Sequence, residues 1–553
     1  MIGKISSVKN NQYTPQRDNY RQNPTFEGMG DVVRVVTDSA IRLVQKCEQQ
    51  PMVNVSVLDL STAIIPRSIV ETYAGSKKTD ENGNQTRELN MYAGMEAFRR
   101  ESSGLIVNCL IPSFIVMGAS SLLQRPIMGK NAGLANVWAN DESLKVISKY
   151  LVDAKGKGSV KLENALNAFM KDLSGVDGKV HRAFVEGENT NIAIGVKQIA
   201  KSTRLKHGSK LFRKGYDKIA SESHMTEHLK LKGGKDYLSK DLKGYLQDFV
   251  KLHNVFEKEG IKTAEQASQF VSKAAKLVNA KSLAGLGIII PLAISMQPIN
   301  RWITRKTSGK KGAPIYNDFK DREEKELTPK QKRELLVQKF ISIGSMIGVA
   351  GLSMFMDRPV WKNILQFKGL FPTMDQARII STATFASRMA ASEDKNELRE
   401  ATVRDIATFS SFYFLGDYVA KGIATLLQKY HKGTNLINVL KQPKQDANAL
   451  QKFWHWAKHT AIKSSDELIS AKDKHLRTCC QLGNIAFSLL SLGVFIPLYT
   501  RSKTNKKHAQ ELAKQNEATS LKTGAATFGA SSGDDFSKSF VKDSTTFKSF
   551  LNS

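Results

Sequence analysis

Residues 282–300 read SLAGLGIIIPLAISMQPIN and residues 478–500 read TCCQLGNIAFSLLSLGVFIPLYT, two long blocks without a charged side chain. A spanning helix needs roughly 17 to 25 predominantly apolar residues, so each block is long enough to cross a bilayer. The blocks also align with each other without a gap. The match runs from Leu286-Gly287 and Leu482-Gly483 through Thr304-Arg305 and Thr500-Arg501 to Lys310-Lys311 and Lys506-Lys507. Three shorter signatures precede them twice in the same order. Leu43-Val44-Gln45-Lys46, Ser61-Thr62-Ala63 and Arg100-Glu101 return as Leu336-Val337-Gln338-Lys339, Ser381-Thr382-Ala383 and Arg399-Glu400. One such match would be noise; matches in a common order predict a duplicated unit.

Two more uncharged blocks, Gly104–Leu123 and Phe340–Met356, meet the same length requirement. The expected fold class is therefore all-α: a polytopic helical membrane protein built from two tandem, diverged repeats. The first repeat covers 31–312 and the second 313–507, with polar tails at 1–30 and 508–553 whose composition predicts disorder. Ile406–Gln428 and Met374–Ala391 are weaker candidates, the first carrying Asp417 and Lys421 and the second interrupted by Arg378 and Arg388. Taken together they make a helical hairpin, so the expected number of spans is four or six.

The chain has 82 Lys and Arg against 52 Asp and Glu, a formal net charge of +30. Basic clusters at Arg301–Lys311 and Arg501–Lys507 sit directly after apolar blocks, where positive-inside bias would place them. The loop 301–339 and the residues after Thr500 then share the cytoplasmic side, and an even number of spans puts both termini there. Equal orientation of the two repeat-ending helices implies a parallel duplication about an axis along the membrane normal. No reader motif or aromatic-interleaved basic platform supports nucleic-acid binding. The first thirty residues lack the apolar centre of a signal peptide, so insertion is expected to rely on internal spans.

Between the first two blocks lies an insertion, 125–281, in which Leu162, Ala165, Leu166, Phe169 and Met170 recur at helical spacing. Leu242–Phe256 and Ala264–Val278 are also amphipathic, predicting a helical soluble insertion opposite the basic loop. Its counterpart in the second half, 429–477, is shorter. A basic run, Lys197, Lys201, Arg204, Lys206, Lys210, Arg213 and Lys214, alternates with Ile199, Leu205, Leu211 and Phe212. It reads as a solvated helical face over a small core, or as a surface for anionic lipid.

His224-Met225-Thr226-Glu227-His228 resembles the H-x-x-E-H of inverted zinc metalloproteases over those five residues. That family adds a downstream Glu as third ligand, and here no acidic residue falls between Glu265 and Asp318. No metal, cofactor or catalytic residue is therefore expected, and a zinc metalloprotease is the remote alternative. Cys47, Cys109, Cys479 and Cys480 lack zinc-site spacing. Gly344 and Gly348 give a small-xxx-small pair that predicts close helix packing.

Ionisable groups at bilayer depth usually face a bundle interior or a water-filled path, which singles out Asp405, Asp417 and Lys421. The structural alternative is that Asp405 caps a helix while Asp417 and Lys421 pair one turn apart. The matching region of the first half, Asn108–Leu122, is uncharged, predicting an asymmetric site. These features lean toward a transporter or channel-like protein embedded in a lipid bilayer. The alternative is a non-catalytic membrane scaffold offering the helical insertion to a protein partner or anionic lipid.

Overall fold

The computed structural model describes residues 51–500 and a few positions beyond, apart from 75–76, 80–84, 88, 130–138, 175–189, 204–207, 224–225, 235, 309–326, 357–364, 368–370, 442–445 and 469. Both tails, Cys47 and the Leu43–Lys46 signature lie outside the described residues. In chain order the helices are α1 (Met52–Tyr73), α2 (Met91–Met128), α3 (Asp141–Asp153), α4 (Ser159–Asp172), α5 (Asn191–Ser202), α6 (Gly208–Ser223) and α7 (Leu242–Glu259). They continue with α8 (Ala264–Ser308), α9 (Pro329–Met356), α10 (Met374–Ala390), α11 (Lys395–Ser410), α12 (Gly416–Tyr430), α13 (Ala449–His459) and α14 (Ala471–Thr500). Among the described residues three short antiparallel strand pairs accompany them, β1–β2 (Lys77–Thr79, Gln85–Arg87), β3–β4 (Leu173–Ser174, Lys230–Leu231) and β5–β6 (Ile437–Val439, Thr460–Ile462).

Helix starts follow local chemistry. Asn90 caps α2 by accepting the Ala93 N–H at 3.0 Å, and Thr373 with Gln376 forms a reciprocal capping box at α10. Asp394 caps α11. Asp405 lies deep within α11, so the expectation that it caps a helix is corrected.

Among the described residues five helices, α1, α2, α8, α9 and α14, are long and apolar enough to cross a membrane. Four contain the blocks recognised in the sequence. The fifth, α1, breaks the neutrality rule with Asp59, Arg67 and Glu71, all of which a one-dimensional reading counts against a span. The two weaker segments fold as α10 and as α11 plus α12.

The insertion forms one apolar core. Leu162, Ala165, Leu166, Phe169 and Met170 are all buried, together with Tyr245, Phe249 and Leu252 of α7. Phe169 stacks on Tyr245 with ring centroids 5.6 Å apart and meets Phe249 at 5.0 Å. Helices α5 and α6 cross at Gly195 and Gly215, where a Cβ on either would stand 2.5 or 2.6 Å from the other's carbonyl oxygen. Lys197, Lys201, Lys210, Arg213 and Lys214 lie on the outside of this pair. The sequence boundary at 281 is not a break. Helix α8 is a single helix of 45 residues, roughly 65 Å at 1.5 Å per residue, whose first turns belong to the insertion core.

Contacts order the helix ends. At the insertion end, Gln366 Nε2 donates to Asn279 Oδ1 at 2.5 Å and Arg477 Nε donates to the Lys463 carbonyl at 2.9 Å. At the other end, Arg99 reaches Asn300 Oδ1 at 2.9 Å and Arg301 meets Glu393 at 3.2 Å. The last helix of each half crosses over: α8 packs on α2 and on α10, and α14 packs on α12 and on α1. Gly344 and Gly348 are exposed on α9, where a Cβ at either would meet nothing within 4 Å, so no helix described in this chain packs on them.

Candidate functional site

Four helices lose their regular register in a π-helical turn, where the carbonyl-to-amide bond skips one extra residue. The turns are Asp59–Ile64 in α1, Ile106–Leu110 in α2, Ser411–Leu415 between α11 and α12, and Leu489–Phe495 in α14. Such turns are uncommon and concentrate at functional sites. All four converge on one cavity of about 80 Å³, contributing Asp59, Asn108, Tyr413 and Leu492 to its wall.

An ion-pair network lies along the same wall. Arg67 of α1 meets Glu101 of α2 at 3.1 Å, and Arg388 of α10 meets Asp405 of α11 at 2.8 Å. Arg388 also reaches Glu101 at 3.3 Å, joining the two halves of the chain. Arg404 flanks Asp405 at 3.1 Å and Arg100 flanks Glu101 at 4.0 Å. Each half contributes an arginine from one helix, a carboxylate from the next and a second arginine beside that carboxylate. The first half contributes its charge at Glu101, ahead of the uncharged stretch Asn108–Leu122.

Hydroxyl and amide groups complete the wall. Thr384 donates to Asn108 Oδ1 at 3.0 Å, Ser381 and the Tyr413 hydroxyl lie 2.7 Å apart, and Arg378 donates to the Tyr413 carbonyl at 3.0 Å. That carbonyl belongs to a π turn, so a cation compensates the loosened backbone. A similar repair occurs at Pro298, which has no N–H to offer the Ile294 carbonyl four residues earlier. Ser387 of α10 donates to that carbonyl at 2.6 Å. The Nε atoms of Arg67, Arg100 and Arg388 and the Oδ2 of Asp405 are buried without a hydrogen-bond partner in the protein. With Glu101 Oε1 in the same condition, the network retains unused donors and two unused acceptors at the cavity. Toward the basic end a further cluster ties Glu96 to Arg99 at 2.6 Å and to Thr304, and Arg301 to Glu397.

Of the residues singled out from sequence, Asp405 is 1% exposed at the centre of the network. Asp417 and Lys421 are elsewhere. Asp417 is exposed, while Lys421 donates to the Ala457 carbonyl at 2.9 Å and lies over the rings of Tyr418 and Trp456. Sequence reasoning passed over Arg67, Glu101 and Arg388. A signal was available at one of them, since Arg100-Glu101 is marked by its repetition.

Of the His224–His228 motif, His224 and Met225 lie outside the described residues, and Thr226, Glu227 and His228 are not helical. Helix α6 ends at Ser223, and His228 adopts a left-handed backbone with φ 57° and packs edge-on against Tyr237. Among the described residues no group of three metal-ligating side chains occurs. Thr226, at the centre of the motif, instead docks the two insertions: its N–H and hydroxyl both donate to Glu467 Oε1 at 2.6 Å. Asn438 donates to the other oxygen at 3.1 Å, and burial pushes the Glu467 carboxyl above its ordinary value. The chain matches no family model, no curated protein and no solved structure.

Proposed function

We propose that the chain is an integral membrane protein that moves a small ion through the charged centre between its two halves. The observation that carries this reading is the convergence of four π turns on one cavity lined by ion-paired arginines and carboxylates. Charges at such depth are expensive and usually serve a pathway, and π turns leave carbonyls and register free to shift. A cavity of about 80 Å³ has room for a few waters or a small ion.

The exchange of last helices supports a parallel duplication, since two copies related by a two-fold axis would make the same pair of crossings. Both insertions dock through Thr226 and Glu467, so α8 and α14 start from one end and run the same way. With the basic loop cytoplasmic, the chain after Thr500 is cytoplasmic and both insertions face the opposite side. Helix α1 adds a crossing that a count of four or six omits, so the cytoplasmic placement of both termini no longer follows from parity.

The test is ion flux into liposomes holding the purified full chain. Arg388→Gln and Asp405→Asn are each expected to lower protein-dependent flux at least tenfold while the protein still elutes as a folded species. Asp417→Asn, away from the centre, leaves it unchanged. The scaffold reading is favoured by the docked insertions and their exposed basic face. It requires the reverse outcome: indifference to the central substitutions and loss of cellular function when 125–281 is deleted.

A further inference from the structure

Helix α13 is at odds with an aqueous setting. Of its 11 residues only Ala457 is buried. Leu450, Phe453 and Trp454 are 66%, 56% and 53% exposed. At 100° per residue, Trp456, Phe453, Ala457, Leu450 and Trp454 fall on one half of the helix. Lys458, Gln451, His455, His459 and Lys452 fall on the other, an even division into apolar and basic faces.

Its position in the fold identifies what covers the apolar face. Lys421 and Thr425 of α12 hold α13 through the Ala457 carbonyl at 2.9 Å and the Trp456 indole N–H at 3.1 Å. Lys458 lies over the ring of Phe355, the last residue of the apolar stretch of α9. The exposed patch of α13 is thus continuous with the outward-facing Leu352, Phe355 and Leu426 of the neighbouring long helices. A short helix with Trp, Phe and Leu on one side and Lys and His on the other, set at the end of a span, has the composition of a segment lying in a bilayer surface.

We infer that α13 lies in the plane of the membrane interface on the insertion side, its apolar half among the acyl chains and its basic half among lipid headgroups. This rests on the membrane reading above and adds to it. It fixes the depth of the molecule at Phe355, and it puts Lys421 at the interface, where a cation among aromatic rings and a helix carbonyl is at home. Of the three charges singled out from sequence, it moves Lys421 away from bilayer depth.

The experiment is spin-label accessibility on the full chain in lipid nanodiscs, with native cysteines replaced by Ala. Single labels go at Leu450, Phe453, Gln451 and, as a span control, Ile347, which is exposed on α9. Labels at 450 and 453 are expected to relax with oxygen as strongly as at 347, and the label at 451 to respond severalfold more to an aqueous nickel chelate. An aqueous signature at 450 and 453 with a lipid signature at 347 overturns the in-plane helix and leaves the membrane reading intact. Shielding of 450 and 453 from both reagents also overturns it, by showing a protein partner there. An aqueous signature at 347 defeats both readings together.

Discussion

The insertion and the long-helix body are built inside out relative to each other. In the insertion, Phe169, Tyr245 and Phe249 are fully buried and the lysines of α5 and α6 lie outside. In the body, Arg388, Glu101 and Asp405 are enclosed, whereas Phe114, Leu122, Leu283 and Phe340 are 70%, 79%, 73% and 69% exposed. Water around the first region drives apolar groups inward. On the proposed membrane reading, apolar groups of the second region have nothing to gain by leaving lipid, and its helices associate through hydrogen bonds, ion pairs and close packing. One chain thus follows two packing rules, and α8 passes from one to the other within a single helix.

Matched substitutions test the contrast most sharply. Phe169→Ala should cost about 3–5 kcal/mol through lost burial and a cavity. Phe340→Ala, the same change on the outer face of α9, should cost under about 0.5 kcal/mol. Calorimetric unfolding of the full chain in nanodiscs measures both, and equal losses would break the comparison.

The polar interior can be probed in the same way with hydroxyls. Ser387→Ala removes the donor to the Ile294 carbonyl that Pro298 leaves open and should cost about 1–3 kcal/mol. Ser345→Ala removes an exposed bond from its own helix to the Ile341 carbonyl and should be nearly silent. A silent Ser387→Ala would show that the carbonyl finds another partner.

The smallest expected effect lies where the two insertions meet. Burial, the largest influence on Glu467, raises its carboxyl above the ordinary 4.5, against the opposing hydrogen bonds from Thr226. A raised folded value means the ionised form is penalised in the docked state. Stability from this group is complete below 4.5 and declines as pH rises through the higher folded value. Hydrogen-exchange protection of residues 226–231, corrected for intrinsic rates, should weaken modestly over that range in the native chain and stay flat in Glu467→Gln. Protection that grows with pH would reverse the assigned sign.

The sequence by itself determined the helical class, four of the five span-length helices and the amphipathic core of the insertion. Each of these depends on an average or a period along the chain: an uncharged run of sufficient length, or apolar residues recurring at helical spacing. It also marked Asp405, because a lone acid near an apolar run stands out. Only the tertiary structure decided where the charges go. Arg67 and Glu101 come from consecutive helices, and Arg388 from a third that lies 287 residues beyond Glu101. In one dimension each argues against a span, and only in three dimensions do they neutralise one another. The π turns were equally silent, since a register shift of one residue leaves composition and hydropathy unchanged. The His224–His228 motif failed for the converse reason: its pattern was present, but Thr226 was drawn into a buried contact with Glu467 and the helix the pattern needs stops before it. Local periodicity fixes which face of a helix is apolar, while the partners that make a buried charge tolerable are chosen by the fold.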